Sequence, residues 1–518
     1  MSLNLFQKLV ILIVETLTLI FLLLPQSLFH SFSCETPGRR LSYESTNGRF
    51  IDDQLILIGT PDDITQVVTP LNLDLTLVEN CDLSYLNTRT APDSNSIVEP
   101  RKFVMQLYQT PDNSDVDNII SQIDNSAAGR PIFVDPNYLT RLSDLTTDPC
   151  SLPNSGGGGS GGTPYGNPGI PDSEAEIREA ANGFMSQWAF GTQGINFLPS
   201  LGLSGEEVQV AVFDTSSVRS PFPLLDRVGI ALPSPLWFTA WDHAGTTMAN
   251  NHGMFVAGLI HRIAPESDIQ LIRVLNDDGC GDLWALNQAL EHYKSRMSAW
   301  TGDLDKTVIN MSLGIRTTNT TNQKEVNTLE ELIKYADEEG AIFIAAAGND
   351  SADPSKPRQK MQVPASSKLV LGVAATDERG KISCYSNKGD LAAPGGDGGS
   401  WTENKVTEHC VSRADTWDDP TALGPHGGSK CIDMAACGFG LISLGETRDG
   451  PQYMYWAGTS FAAPLVSGMA ALAYEEMEKK QVICLLQGGP TGTLDPELGT
   501  GIINIRDLTN PTLVALCP

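Results

Sequence analysis

The sequence predicts an α/β protein: a doubly wound, mostly parallel sheet preceded by a small α+β unit of ferredoxin-like order. Three observations predict it. From about residue 176 onward, short apolar runs alternate with long helical stretches. Residues 54–138 follow the order β-α-β-β-α-β. Between the two lies a Gly/Ser/Pro tract that cannot bury apolar surface and reads as a tether.

In the amino-terminal unit, residues 54–60 (QLILIGT) form a strand-like apolar run, and the stretch after Pro61 has helical spacing. Residues 71–79 (LNLDLTLVE) alternate with the period of two of a half-buried strand. Residues 102–108 (KFVMQLY) read as a third strand. Val116, Ile119, Ile120 and Ile123 then mark one helix face. Residues 131–134 (PIFV) close the set as a short fourth strand. This is the split β-α-β-β-α-β unit, and its bounds are set at 45–145, with the tether over 146–175.

The larger unit, 176–512, offers strands at 208–213, 269–275, 308–311, 341–347 and 369–375. They are short and apolar on both faces, as parallel strands covered by helices should be. Helices are expected at 282–297 and 323–339. Strands alternating with helices argue for a doubly wound sheet, whose functional residues gather outside the carboxyl ends of the strands.

Bulk properties narrow the function. The chain has 518 residues, and 62 acidic against 34 basic residues give a formal net charge of −28. Such a charge repels nucleic acid and anionic membranes, so neither is an expected partner. Ten cysteines without a CxxC pair point to disulfides in an oxidising compartment, with the pairing unreadable from spacing. Lys8 precedes an apolar stretch over 9–24, Pro25 closes it, and Ser31 and Ser33 stand before Cys34 as a cleavage point requires. Residues 1–33 therefore have the layout of a signal peptide, and an extracellular location is expected. The stretch is shorter than the roughly 20 residues of a spanning helix and carries Glu15, which leaves an uncleaved membrane anchor as the alternative.

Three residues stand where a doubly wound sheet places chemistry. Asp214 ends the strand of VQVAVFDTSS, His252 opens the helical stretch HGMFVAGLIHRIA, and Ser460 sits in AGTSFAAPLVSG, where a glycine turn enters a helix. A serine hydroxyl is a poor nucleophile until a base takes its proton, and the base needs a carboxylate to hold its tautomer. Singly, each has a structural reading: a helix-capping Ser, a strand-ending Asp, a packed His.

Together, in the order Asp, His, Ser, these segments resemble the subtilisin-like serine protease family, chiefly its secreted bacterial members. GTSFAAPLVSG is similar to the family's GTSMAAPHVSG, HGMFVAG to HGTHVAG, and VAVFDTS to VAVIDTG. AIFIAAAGN resembles the strand ending in the oxyanion-hole asparagine, here Asn349. VINMSLG resembles the segment lining the substrate cleft, here Ser312, Leu313 and Gly314. GTGIINIRDL resembles the family's closing stretch. The resemblance implies a serine endopeptidase acting on protein or peptide substrates, with Asp214, His252 and Ser460 as triad and Asn349 with the Ser460 N–H as oxyanion donors. It also implies that the ferredoxin-like unit is an intramolecular inhibitory propeptide, with FVDPNY similar to the stretch that often closes such units, removed by a cut between Tyr138 and about Ser173. A monomer is expected, and no cofactor is required for the chemistry.

Departures are visible too. Ser216 stands where the family has Gly, and Met254 and Phe255 where it has Thr and His. These would reshape the support of Asp214 and His252 without removing a triad member, and they favour the rival reading, a non-catalytic binding protein on the same fold. An insertion over about 396–437, rich in Asp, Gly and Cys, reads as solvated surface. Structural calcium is its alternative role, though without EF-hand spacing.

Overall fold

In the computed structural model, elements are described over residues 50–83, 102–142, 180–194, 202–215, 228–231, 248–315, 326–396, 401–406, 440–489 and 494–517, with short gaps inside some of these spans. The signal-peptide segment, the tether, Ser216 and most of the insertion lie outside the described residues.

The amino-terminal unit runs β1 (Phe50–Gly59), α1 (Pro61–Val68), β2 (Thr76–Leu83), β3 (Phe103–Gln109), α2 (Val116–Ser126) and β4 (Phe133–Leu142). Local chemistry sets the helix starts. Thr60 caps α1 by accepting from Asp63 N at 3.1 Å, with Pro61 at the first helical position. Asp115 caps α2 through Asn118 N at 3.1 Å, and the buried face of α2 is Val116, Ile119, Ile120 and Ile123. The alternation over 71–79 predicts a strand from residue 71, but β2 begins at Thr76. Thr69–Leu71 continue α1 as a 3₁₀ turn, and Asn72 ends it in the left-handed region at φ 50°.

Strand β4 is the larger departure from expectation. It is ten residues long, not four, and it serves two partners in succession. Its first part pairs antiparallel with β1, Ile58 opposite Phe133 and Leu55 opposite Pro136. Its last part, Leu139–Leu142, leaves the unit and pairs with β8 (Cys280–Asp282) and β10 (Leu313–Ile315) of the larger unit. One antiparallel sheet thus spans both units in the order β10-β4-β1-β3-β2, with β8 also on β4.

The larger unit contains α3 (Trp188–Thr192), β5 (Gln209–Asp214), β6 (Val228–Ala231), α4 (His252–Ile263), β7 (Asp268–Arg273), β8, α5 (Leu283–Thr301), β9 (Thr307–Met311), β10 and α6 (Asn327–Glu338). It continues with β11 (Ile342–Ala346), β12 (Val370–Thr376), β13 (Leu391–Pro394), the short pair β14 (Trp401–Thr402) and β15 (Lys405–Val406), and the hairpin β16 (Leu441–Thr447) and β17 (Gly450–Trp456). Helices α7 (Thr459–Tyr474), α8 (Lys479–Leu486) and α9 (Pro511–Leu516) complete it. Seven strands form a parallel sheet in the order β13-β12-β11-β9-β5-β7-β6.

Alternation along β5 explains the two layers. Val210 and Val212 point into a core with Phe255, Ile260, Phe461 and Val466 of α4 and α7. Ala211 and Phe213 point into another with Leu286, Leu290, Leu329 and Ile333 of α5 and α6. The second core continues into the amino-terminal unit, through Leu55, Leu57 and Val134. A disulfide joins Cys484 to Cys517, pinning α9 to α8 across 33 residues. Cys81 and Cys280 are also disulfide-bonded, and the described residues hold no free cysteine.

Candidate active site

The central strand β5 lies between β7 and β9, so the chain leaves its carboxyl end toward one side and later returns on the other. That reversal opens a crevice at the strand ends, and Asp214 is the last residue of β5, fully buried. Its Oδ1 accepts from Thr215 N at 2.6 Å. Thr215 Oγ1 lies 3.2 Å from the carbonyls of Ala249 and Asn250 and accepts from Gly253 N at 3.0 Å. A threonine beside the aspartate therefore locks the start of α4 to the end of β5. Gly253 is required by this closeness: a Cβ there would come within 2.0 Å of Thr215 O.

His252, the first residue of α4, is delivered by that lock. Its Nδ1 lies 2.8 Å from Asp214 Oδ1 and 2.9 Å from Oδ2, both side chains inaccessible to water. A carboxylate only accepts, so Nδ1 carries the proton and Nε2 holds the lone pair. The imidazole is walled by aromatic rings: Trp456 at 5.3 Å and Phe461 at 5.0 Å between centroids.

Ser460 is the second residue of α7, just past Gly458. A proline inside the helix shapes its surroundings. In a regular helix, residue 464 would donate to the carbonyl of residue 460, and Pro464 has no N–H to give. Ser312 fills the gap: its Oγ lies 2.9 Å from Ser460 O and 3.0 Å from Asn310 Oδ1. In return Ser460 Oγ donates to Ser312 O at 3.1 Å. Both serines are fully buried.

Asn349 follows β11 and is nearly buried. Its Oδ1 accepts from Thr459 N at 3.1 Å, which leaves the amide nitrogen as the end able to donate elsewhere. Thr459 Oγ1 in turn accepts from Gly348 N at 3.1 Å. Gly348 sits at φ +102°, a conformation that favours glycine. Leu313 and Gly314 lie on β10, opposite Leu142 and Arg141.

All seven residues singled out from the sequence thus meet at the carboxyl ends of the parallel strands or on β10 beside them. Four others in the same neighbourhood were not singled out: Thr215, Thr459, Trp456 and Phe461. Thr215 and Thr459 could have been found from their place beside Asp214 and Ser460. Trp456 and Phe461 carry no signal until the fold brings them to His252. Met254 and Phe255, the departures in the histidine motif, are buried core residues of α4. Among the described residues, no group of three or more His, Cys, Asp or Glu stands together as a metal site, and no helix is long and apolar enough to cross a membrane.

Comparison with known proteins supplies the family and the fold. The model of the subtilase family matches residues 205–486, more than half of the chain. The chain belongs to the subtilase family. The minor extracellular protease Epr of Bacillus subtilis is 30% identical over 207 residues, 38% of this chain and 28% of that protein. The thermostable alkaline protease of Halalkalibacterium halodurans is 25% identical over 315 residues, 58% of this subtilase and 68% of the relative. Subtilisin BL of Lederbergia lenta is 30% identical over 206 residues, covering 38% and 66%. This subtilase therefore spans from under a third to about two thirds of these relatives' lengths. Fervidolysin of Fervidobacterium pennivorans, a keratinolytic enzyme related to subtilisin, aligns with TM-score 0.54 and 18% identity over 93% of this chain and 65% of its own, which establishes a shared fold.

Proposed function

We propose that this subtilase is a secreted serine endopeptidase in which Asp214, His252 and Ser460 act as a triad, held in check by its own amino-terminal unit. The observation that carries the reading is a peptide already in the cleft. Leu139–Leu142 lies antiparallel between β8 and β10, Arg141 opposite Gly314 and Leu142 opposite Leu313, beside the Ser460 hydroxyl. An extended substrate would bind in the same way, by backbone pairing that any polypeptide can supply.

His252 Nε2 takes the proton as Ser460 Oγ leaves Ser312 O and attacks the scissile carbonyl. Asp214, on Nδ1, holds the tautomer and offsets the positive charge of the imidazolium. The carbonyl oxygen becomes an oxyanion, stabilised by Asn349 Nδ2 and the Ser460 N–H. His252 then returns its proton to the leaving amine as the C–N bond breaks. Water, deprotonated by the same base, releases the acyl group and restores Ser460. Side chains and backbone N–H groups supply the whole sequence, and no cofactor is needed.

The amino-terminal unit acts as the inhibitory propeptide. Besides filling the cleft, it caps two helices of its partner: Asn137 Oδ1 accepts from Trp284 N of α5 at 3.0 Å, and Asp135 Oδ2 accepts from Thr328 N of α6 at 2.6 Å. Leu142, the last residue of β4, pairs with Leu313, the neighbour of Ser312, whose carbonyl the Ser460 hydroxyl meets. Maturation is therefore expected at the bond after Leu142 or after Ser143.

The test compares peptide hydrolysis by the wild-type protein and Ser460→Ala. Loss of turnover on the order of 10⁶ in the variant, with a new amino terminus at residue 143 or 144 only in the parent, supports the reading. A folded parent with no more activity than the variant overturns it.

A further inference from the structure

The ring contacts around His252 form a closed set. Trp456 on β17 and Phe461 on α7 both touch the imidazole, and they touch each other at 5.1 Å between centroids. Phe255, one turn along α4 from His252, packs on both of them, at 5.7 Å from Trp456 and 4.6 Å from Phe461. None of the three rings, nor the imidazole, is accessible to water. The backbone around Phe255 is pinned as well, because Ser443 Oγ of β16 donates to Phe255 O at 2.7 Å.

The rings come from three elements, α4 and the consecutive β17 and α7 about two hundred residues later, and each has a fixed place. Aromatic side chains have two torsions and a rigid plane, so a mutually packed set leaves the imidazole little room to rotate. Asp214 holds one ring nitrogen, and the packed rings restrict tilting of the imidazole about that contact. The wall covers the remaining freedom.

We propose that Trp456 and Phe461, buttressed by Phe255, form an aromatic wall that fixes the plane of His252 and keeps water from the Asp214–His252 pair. They are positioning residues, acting through the base. The inference rests on His252 being the general base, as argued above. Phe255 stands where a histidine stands in the family motif, so the wall also accounts for that departure: it reshapes the support of His252 as an apolar one.

The wall has a definite electrostatic sign. Exclusion of water disfavours the charged imidazolium, while the attraction of a cation to aromatic rings favours it. For a fully buried ring the first effect is the larger. Asp214 is a charged group set against the imidazole, and it is present whether or not the wall is complete. Opening the wall should thus ease charging of His252, and the acidic limb of activity should move to higher pH.

The experiment measures kcat and KM across pH for the processed parent, Trp456→Leu, Trp456→Phe and Phe255→Leu, with Ser460→Ala as the blank. Trp456→Leu should lower kcat about tenfold with KM within about twofold, and raise the acidic limb by about half a pH unit. Trp456→Phe, which keeps a ring, should recover most of both losses. Phe255→Leu should shift both in the same direction by less, and it decides the matter if Trp456→Leu does not fold. An unmoved or lowered acidic limb, or a loss confined to KM, overturns the wall. If the parent itself matches the Ser460→Ala blank, the protease reading fails instead. The wall is then judged from the proton-resonance titration of His252, which must move upward in Trp456→Leu for the inference to stand.

Discussion

The two sheets of this molecule are covered in different ways. The parallel sheet owns both of its layers, α4 and α7 on one face and α5 and α6 on the other. The antiparallel sheet of the amino-terminal unit owns only one, its helices α1 and α2. Its other face rests on α5 and α6, which belong to the larger unit. The first sheet is a self-sufficient scaffold on which Asp214 and Asn349 stand at or just past strand ends. The second is complete only while docked. Under the proposed maturation that dependence would help release, since the unit's fold would be weakened once its strand was cut and it left the larger unit.

Changes inside the scaffold should therefore damage chemistry or global stability, and changes at the docking face should damage inhibition. Asp214→Asn is expected to have the largest effect. It leaves the shape but offers Nδ1 the wrong partner, and should lower kcat about 10⁴-fold in peptide hydrolysis. Asn349→Ala removes one oxyanion donor and should cost about 10²–10³ in kcat with little change in KM, the range such donors carry in this family. Replacing Cys484 and Cys517 together by Ser frees a loop of 33 residues. By chain entropy that should remove about 3–4 kcal/mol of stability, read as a lower midpoint in guanidinium, with kcat per folded molecule unchanged. Asp135→Ala should have the smallest effect. It strips the carboxylate cap from α6 and should weaken the hold of the amino-terminal unit by about 1–2 kcal/mol. Its measure is the inhibition constant of the separate unit added to mature enzyme. If Asp135→Ala instead lowered kcat while leaving inhibition intact, the division between scaffold and docked unit would be broken.

The parallel sheet was legible because its strands are apolar on both faces and its helices are periodic, patterns that do not depend on distant partners. Asp214 and His252 were legible for another reason: singly each has a structural reading, and only the ordered segments that resemble the subtilisin-like family singled them out. Strand β4 was only half legible. The run PIFV announces its start, but Asp135, Pro136 and Asn137 read as a break, and the pairing beyond them comes from β8 and β10, more than a hundred residues away. The alternation over 71–79 misled in the opposite direction, because Asn72 closes a turn inside it. Nothing local marks Trp456 as a neighbour of His252. Only the packing of the β16–β17 hairpin against α4 brings it there.

Pro464 has one more consequence. By denying Ser460 its helical partner, it hands that carbonyl to Ser312, the residue that precedes the cleft strand β10, and the Ser460 hydroxyl answers on the carbonyl of Ser312. In the proposed mechanism, the strand that would register a peptide and the side chain that would cut it are thus fastened to each other by a two-way clasp. In that mechanism, a peptide that pulled β10 out of line would draw Ser460 with it, so the spacing between the bound backbone and the attacking oxygen would be preserved under load.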